Sequence, residues 1–239
     1  MIEFHPLANL FPLFGQDDFE ELALDIADHG LREDIVLLDG KILDGRNRYQ
    51  ACIAANLIDA SYEPTGNDRF FVDFRPEYDG DPLAFVISKN LRRRQLDESQ
   101  RAMVAAKIAN MRQGERTDLA EPSANLPKVA QSDAARMLNV SERSLRTAKT
   151  VIAEAVPELL EAVERGDIAV SAAAEIASQT EDEQRRLVEV DSPAFHAEVK
   201  RIRQAKQDEK KARRQSRERE LAARQTELPD RKYGVIYAD

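Results

Sequence analysis

The chain has 239 residues, 42% hydrophobic and 33% charged, with a net charge of −9, which is length enough for one large or two small domains with buried cores. Its single cysteine, Cys52, excludes an internal disulfide, and the three histidines, His5, His29 and His196, are too scattered for a metal-ligand motif. No apolar run reaches membrane-spanning length and no basic-then-apolar leader opens the sequence, so the expected setting is a reducing cytoplasm without membrane partners.

Residues 1–88 read as mixed α/β. Phe19, Leu22, Ala23 and Ile26 recur at helical spacing, and the helix they define ends near His29 with Gly30 as its breaker. Residues 35–38 and 41–43 are short apolar strands joined by Asp39-Gly40, a strong hairpin signal. The second strand runs through Asp44-Gly45 into a helix over residues 46–56, on which Cys52 is a small core residue. A glycine at a strand-to-helix junction lets the first helical amides face an anion, and Arg46 and Arg48 add positive charge. That arrangement suits a phosphate; a tight turn flanked by surface arginines accounts for it equally. Residues 70–74 form another strand, edge or central, and Tyr78 and Phe85 are expected in the core.

From Asp97 the pattern is helical. Asp97 and Gln100 make a capping box, Ala102, Ala105, Ala106 and Ala109 supply a small-residue face, and Gly114 stops the helix. Arg92, Arg93 and Arg94 precede it, as a phosphate contact or a solvated link. Residues 115–128, with two prolines and no periodicity, read as a loop.

Residues 132–150, SDAARMLNVSERSLRTAKT, read as a helix-turn-helix. Ser132 is placed to cap a helix carrying Ala134, Ala135 and Leu138, Val140 locks the turn, and Ser141 caps a second helix with Leu145 and Ala148 inward. The second helix exposes Glu142, Arg143, Ser144, Arg146, Thr147 and Lys149; the set expected to meet DNA is Ser141, Arg143, Ser144, Arg146, Thr147 and Lys149. An ordinary helical hairpin with a solvated polar face is the alternative.

Beyond it, Pro157 starts a short helix that ends at Arg165-Gly166, Ser171 caps an alanine-rich helix, and Thr180 with Glu183 caps another. Charge supports the placement of the reader. Residues 1–90 hold 7 cations against 18 acids and residues 151–197 hold 3 against 11, whereas residues 91–150 hold 12 against 7 and residues 198–239 hold 13 against 8. The stretch 196–225 has strong helix formers and few apolar residues, so it is a solvated helix or basic linker with nonspecific DNA contact as a secondary role.

Three segments resemble a known family. Gly45-Arg46-Asn47-Arg48-Tyr49-Gln50-Ala51 resembles the Gly-Glu-Arg-Arg-Tyr/Phe-Arg-Ala box of the ParB amino-terminal domain, residues 30–36 (GLREDIV) its Gly-Leu-x-x-Pro-Ile-x-Val segment, and residues 88–96 (SKNLRRRQL) its Glu-Asn-Leu-x-Arg-x-x-Leu box. The resemblance implies a ParB/sulfiredoxin-like fold, a dimer on double-stranded DNA, and a site for CTP with Mg²⁺ that switches the dimer between open and closed states. Carried over by position, Gly45, Arg46, Arg48, Asn90 and Arg93 are its nucleotide-binding residues. Lys89 stands where the family has a glutamate implicated in metal-assisted hydrolysis, Arg46 replaces another glutamate and Asn47 an arginine. A lysine does not ligate Mg²⁺, so the implied site binds a nucleotide without the family's route to turnover. No catalytic residue is assigned. The sulfiredoxin branch needs a cysteine within the turn at residues 45–48, and Cys52 lies beyond it.

Residues 156–177 resemble the helical segment that follows the reader in ParB-like proteins. Residues 232–239 (KYGVIYAD) resemble the strand leading into the Asp-Pro-Pro-Trp signature of adenine-N6 DNA methyltransferases, with Asp239 in first position. The expectation is an α+β protein: a ParB-like domain over residues 1–90, an all-α helix-turn-helix domain over 91–195, a charged helix over 196–226, and the start of a methyltransferase domain at 227–239. On this view the chain is the amino-terminal part of a fusion, with no methyltransferase activity of its own.

Overall fold

Three short strands, β1 (Ile35–Leu38), β2 (Lys41–Asp44) and β3 (Phe71–Asp73), form a sheet in the order β2-β1-β3. The computed structural model describes residues 1–59, 61–64, 68–93, 96–110, 129–190 and 192–224. It divides into two units, Met1–Glu189 and Val190–Asp239. The fold class is α+β.

In the first unit β1 and β2 are antiparallel through the Asp39-Gly40 turn, where both residues take positive φ (51° and 74°), as a two-residue hairpin connection demands. β3 pairs parallel to β1 on the outer edge. Side chains alternate across the sheet. Ile35, Leu37 and Ile42 join a core with Ile26 of α1 (Gln16–His29) and Tyr49, Ala51 and Cys52 of α2 (Arg46–Ala54). Val36 and Leu43 face the other way, into a core with Leu83, Val86 and Ile87 of α4 (Pro82–Arg93) and Val104, Ala105 and Ile108 of α5 (Glu98–Asn110).

The register slips between Val36 and Leu37, so Leu43 is the extra residue of a bulge, and Ile42, Leu43 and Asp44 are all buried. A bulge twists its strand and re-aims the side chains beyond it, which turns Asp44 toward the start of α2. The N-terminal segment is clipped onto β2 by His5 N–H donating to the Ile42 carbonyl and Ile42 N–H to that of Glu3, before the 3₁₀ turn Pro6–Leu10.

α5 is the hub of the helical region, buried from Ala102 to Ala106, and it packs against α6 (Gln131–Met137), α7 (Glu142–Glu154), α8 (Pro157–Arg165) and α9 (Val170–Ile176). Its capping box is reciprocal: Gln100 N–H donates to Asp97 Oδ1 at 2.7 Å and Asp97 N–H to Gln100 Oε1 at 3.0 Å. α10 (Glu181–Val188) completes the unit.

Four expectations need correction. Ser132 is not a cap: α6 starts at Gln131 after an extended Ala130, whose carbonyl takes the Asp133 and Ala134 amides. Ser171 lies inside α9, because buried Val170 already opens the helix and its N–H is capped by Ser99 Oγ from α5 at 3.1 Å. Thr180 holds the N-cap position of α10 without a side-chain bond, and Glu183 pairs with Arg186 at 2.9 Å instead of folding back. Tyr78 is 81% exposed, since the four-residue helix α3 (Pro76–Asp79) buries nothing, while Phe85 packs edge-on against Phe74 as expected. Gly114, the loop 115–128, Arg94 and the strand at 232–239 lie outside the described residues.

The second unit is α11 (Ser192–Arg224), with residues 203–222 exposed throughout. Side-chain pairs one turn apart brace it, among them Arg201 with Glu198, Gln204 with Asp208 at 3.1 Å and Arg214 with Glu218 at 2.9 Å. Among the described residues no helix is long and apolar enough to cross a membrane.

Candidate functional site

α6 and α7 are joined by a tight turn that begins with Leu138, which is fully buried. Asn139 takes φ 51°, Val140 N–H donates to the Ala135 carbonyl and Asn139 N–H to that of Arg136, the double-bonded helix end in which a left-handed residue reverses the chain. Val140 packs onto the core, as its place in the turn implies. The Asn139 conformation is missing from the sequence-based reading, although an asparagine between two helices is its usual signal.

Ser141 caps α7 as expected, with Oγ accepting from Ser144 N–H at 3.0 Å. Leu145, Ala148 and Val151 are completely buried. Arg143 and Arg146 are exposed on the other side, the latter with 68% of its side chain free and 3.7 Å from Glu142. Ser144, Thr147 and Lys149 are half-buried. Two of these have their hydroxyls engaged: Ser144 Oγ donates to Glu98 Oε1 at 2.9 Å and Thr147 Oγ1 to the Arg143 carbonyl at 3.0 Å. The carboxylate of Glu98 beside the first turn of α7 has no signal in the local pattern, because it comes from α5, 46 residues away.

The second cluster surrounds the start of α2. Gly45 caps the helix in the left-handed region at φ 101°, and a Cβ there would meet the Arg48 guanidinium at 3.1 Å and Ile35 Cα at 3.4 Å. Arg48 is 12% exposed and clamped: it bonds Glu33, the Asp34 carbonyl at 3.2 Å and Asp44 Oδ2 at 2.9 Å. Asn90 Nδ2 donates to Asp44 Oδ1 at 3.1 Å, and Lys89 Nζ to Glu33 Oε1 at 3.1 Å while lying over the Phe85 ring. Gly45, Arg48, Asn90 and Lys89 are therefore brought together, about two carboxylates that the sequence-based reading did not include. Asp44 is four residues before Arg48, a visible spacing; Glu33 reaches Arg48 only through the sheet.

Arg46 is held differently. Its guanidinium donates to Asn9 Oδ1 at 2.9 Å and to the Phe11 carbonyl, and sits over the Phe4 ring. The Arg93 side chain lies outside the described residues. A cleft of about 950 Å³ opens beside Gly45, Asp44, Arg48 and Asn90, with Leu22 and Phe14 on its apolar wall. Arg48 Nε is buried against Gly45 with no hydrogen-bond partner. For magnesium, Asp44 and Glu33 are the carboxylates at hand, and both are held by cations. Cys52 is buried on the inner face of α2, where desolvation pushes its thiol up to about 11 against a smaller downward pull from Arg48, which suits a core residue and not a nucleophile.

No family model and no curated sequence matches the chain. Among solved structures it is similar to the C-terminally truncated chromosome-partitioning protein ParB from Caulobacter crescentus complexed to the centromeric parS site, with 16% identity and a TM-score of 0.31 over 80% of this chain and 90% of that one. It is also similar to the C-terminally truncated ParB from the same organism complexed with CTP-gamma-S, with 18% identity and a TM-score of 0.24 over 80% of this chain and 88% of that one.

Proposed function

We propose that this chain is a ParB-like, sequence-specific DNA-binding protein that works as a dimer, in partition, in regulation or as the targeting arm of a methyltransferase. In this reading residues 1–90 form the ParB-like domain and residues 91–195 the DNA reader. The observation that carries it is α7: one side is sealed into the core by Leu145, Ala148 and Val151, and the other presents Arg143 and Arg146 to solvent. A helix so held can enter a major groove, where guanidinium groups read guanine edges and neighbouring cations meet phosphates. Ser144 and Thr147 contribute less to reading than the arginines, since their hydroxyls are committed within the protein.

Selection of bound duplexes from a random pool tests this. A defined consensus should emerge, and Arg146→Ala should weaken binding to it by about 1–3 kcal/mol, a loss of between about fivefold and 160-fold. Recovery of unenriched sequence, or equal retention of all duplexes by wild type and variant, would refute it.

A second reading, a CTP-binding switch at the start of α2, is favoured by the unpartnered Arg48 Nε beside Gly45. The chain's own residues would bind phosphate oxygens through Arg48, the first amides of α2 and Asn90, after Glu33 and Asp44 give way. Calorimetry with CTP, ATP and GTP, with and without DNA, tests it: selective heat with CTP supports the switch, and no heat with any nucleotide removes it.

A further inference from the structure

α11 carries a second charged surface. Arg203, Lys206, Lys210, Arg213 and Arg217 follow one another at steps of three and four residues. At 100° per residue they fall, with Arg214, within an arc of about 100°, and none of Asp208, Glu209, Glu218 and Glu220 lies inside it. The line runs for about 21 Å along the helix at 1.5 Å per residue. It continues the face that starts with Phe195, Val199 and Ile202, so one face changes from apolar to cationic partway along. Residues 203–222 are exposed, and Lys210, Arg213 and Arg217 have no carboxylate partner among the described residues.

We propose that this stripe is a sequence-independent docking surface for the phosphate backbone of double-stranded DNA. Opposite charges one turn apart brace the rest of the helix and reach the border of the arc through Arg214 and Glu218, but no acid between 203 and 222 lies within the arc itself. A two-stranded coiled coil needs apolar residues at the positions these cations occupy. A membrane-surface helix needs an apolar face to insert, and Leu221 is the one large apolar residue between 203 and 222. A duplex places one phosphate per strand about every 3.4 Å of axis and winds them about it, so a straight cationic line of about 21 Å meets a run of a few phosphates where the strand turns toward it. The inference is independent of the reading assigned to α7, since it needs neither base contacts nor a preferred site.

The test uses the full chain and a labelled 30-base-pair duplex of random sequence, titrated at several salt concentrations. Lys210→Gln with Arg217→Gln removes two stripe charges; Lys211→Gln with Arg219→Gln removes the same charge from other faces and serves as the control. The stripe double should lower the slope of log affinity against log salt by about two units, at 0.9 per phosphate contact, and the control by less than half as much, with unchanged helical circular dichroism in both. Equal losses in the two doubles, or none in either, overturn the proposal. So does binding of the stripe to anionic phospholipid vesicles without an effect on DNA. Arg143→Ala with Arg146→Ala separates the two surfaces: if it abolishes preferred-site binding and leaves the stripe effect intact, both readings stand. If it abolishes all duplex binding while the stripe double changes nothing, only α7 stands.

Discussion

Gly45 is the residue on which the α2 cluster turns. Its φ of 101° is open to glycine and strained for other residues, and the space a Cβ needs is filled by Arg48. Gly45→Ala should therefore cost about 1–3 kcal/mol, read as a fall of several degrees in melting temperature, and should loosen Arg48 from Asp44. Glycine at this junction was legible in the sequence, because a strand running straight into a helix leaves no other residue for the corner. The partners of Arg48 were not: Glu33 precedes β1 and meets Arg48 only once the sheet has formed. His5 is a second buried polar residue, whose Nδ1 accepts from Leu7 N–H at 3.2 Å. Burial holds its imidazole below the usual 6.5, with Lys41 acting in the same direction and Asp39 opposing. The unfolded chain thus takes up the proton first, so this contribution to stability is whole above about pH 6.5 and is lost as pH falls. Urea midpoints measured at pH 7.5 and 5.5 should differ in that direction, and His5→Asn, which keeps an acceptor and does not titrate there, should lessen the difference.

Among the elements, the helices after α7 are tied by Gln184, which is 2% exposed on α10. Its Oε1 accepts from Val156 N–H at 2.8 Å, and its Nε2 donates toward the carbonyls of Glu154, Ala177 and Gln179. One amide thereby satisfies the end of α7, the start of α8 and the turn after α9. Gln184→Ala should remove about 2–3 kcal/mol by leaving those groups dry and unpaired, measurable in urea denaturation. Helix positions were legible here from apolar spacing and from Pro157 and Gly166. The caps were less so: Ser99 of α5 supplies what Ser171 was expected to supply locally, and Gln184 of α10 serves the start of α8 from another helix. Ser141 and the Asp97–Gln100 box, both local in sequence, are where the pattern placed them.

At the scale of the molecule, one buried cluster joins the 3₁₀ turn, β1, α4, α5, α6 and α7, from Leu7 to Leu145. Residues 1–189 should accordingly unfold in a single transition, with ellipticity at 222 nm and near-ultraviolet signals coinciding; two separated midpoints would contradict this. The segregation of charge along the chain was plain from counting, whereas the narrow cationic arc of α11 became visible only once the helix fixed the angle of each residue. The amino-terminal clip has a practical corollary. Ile2 N–H donates to the Tyr49 hydroxyl at 2.9 Å and Phe4 bridges to Ile42, yet Met1 is 87% exposed. A purification tag placed ahead of Met1 has a clear path outward, whereas proteolytic trimming of the first four residues would strip Tyr49 of its lid and bare one border of β2 to other chains.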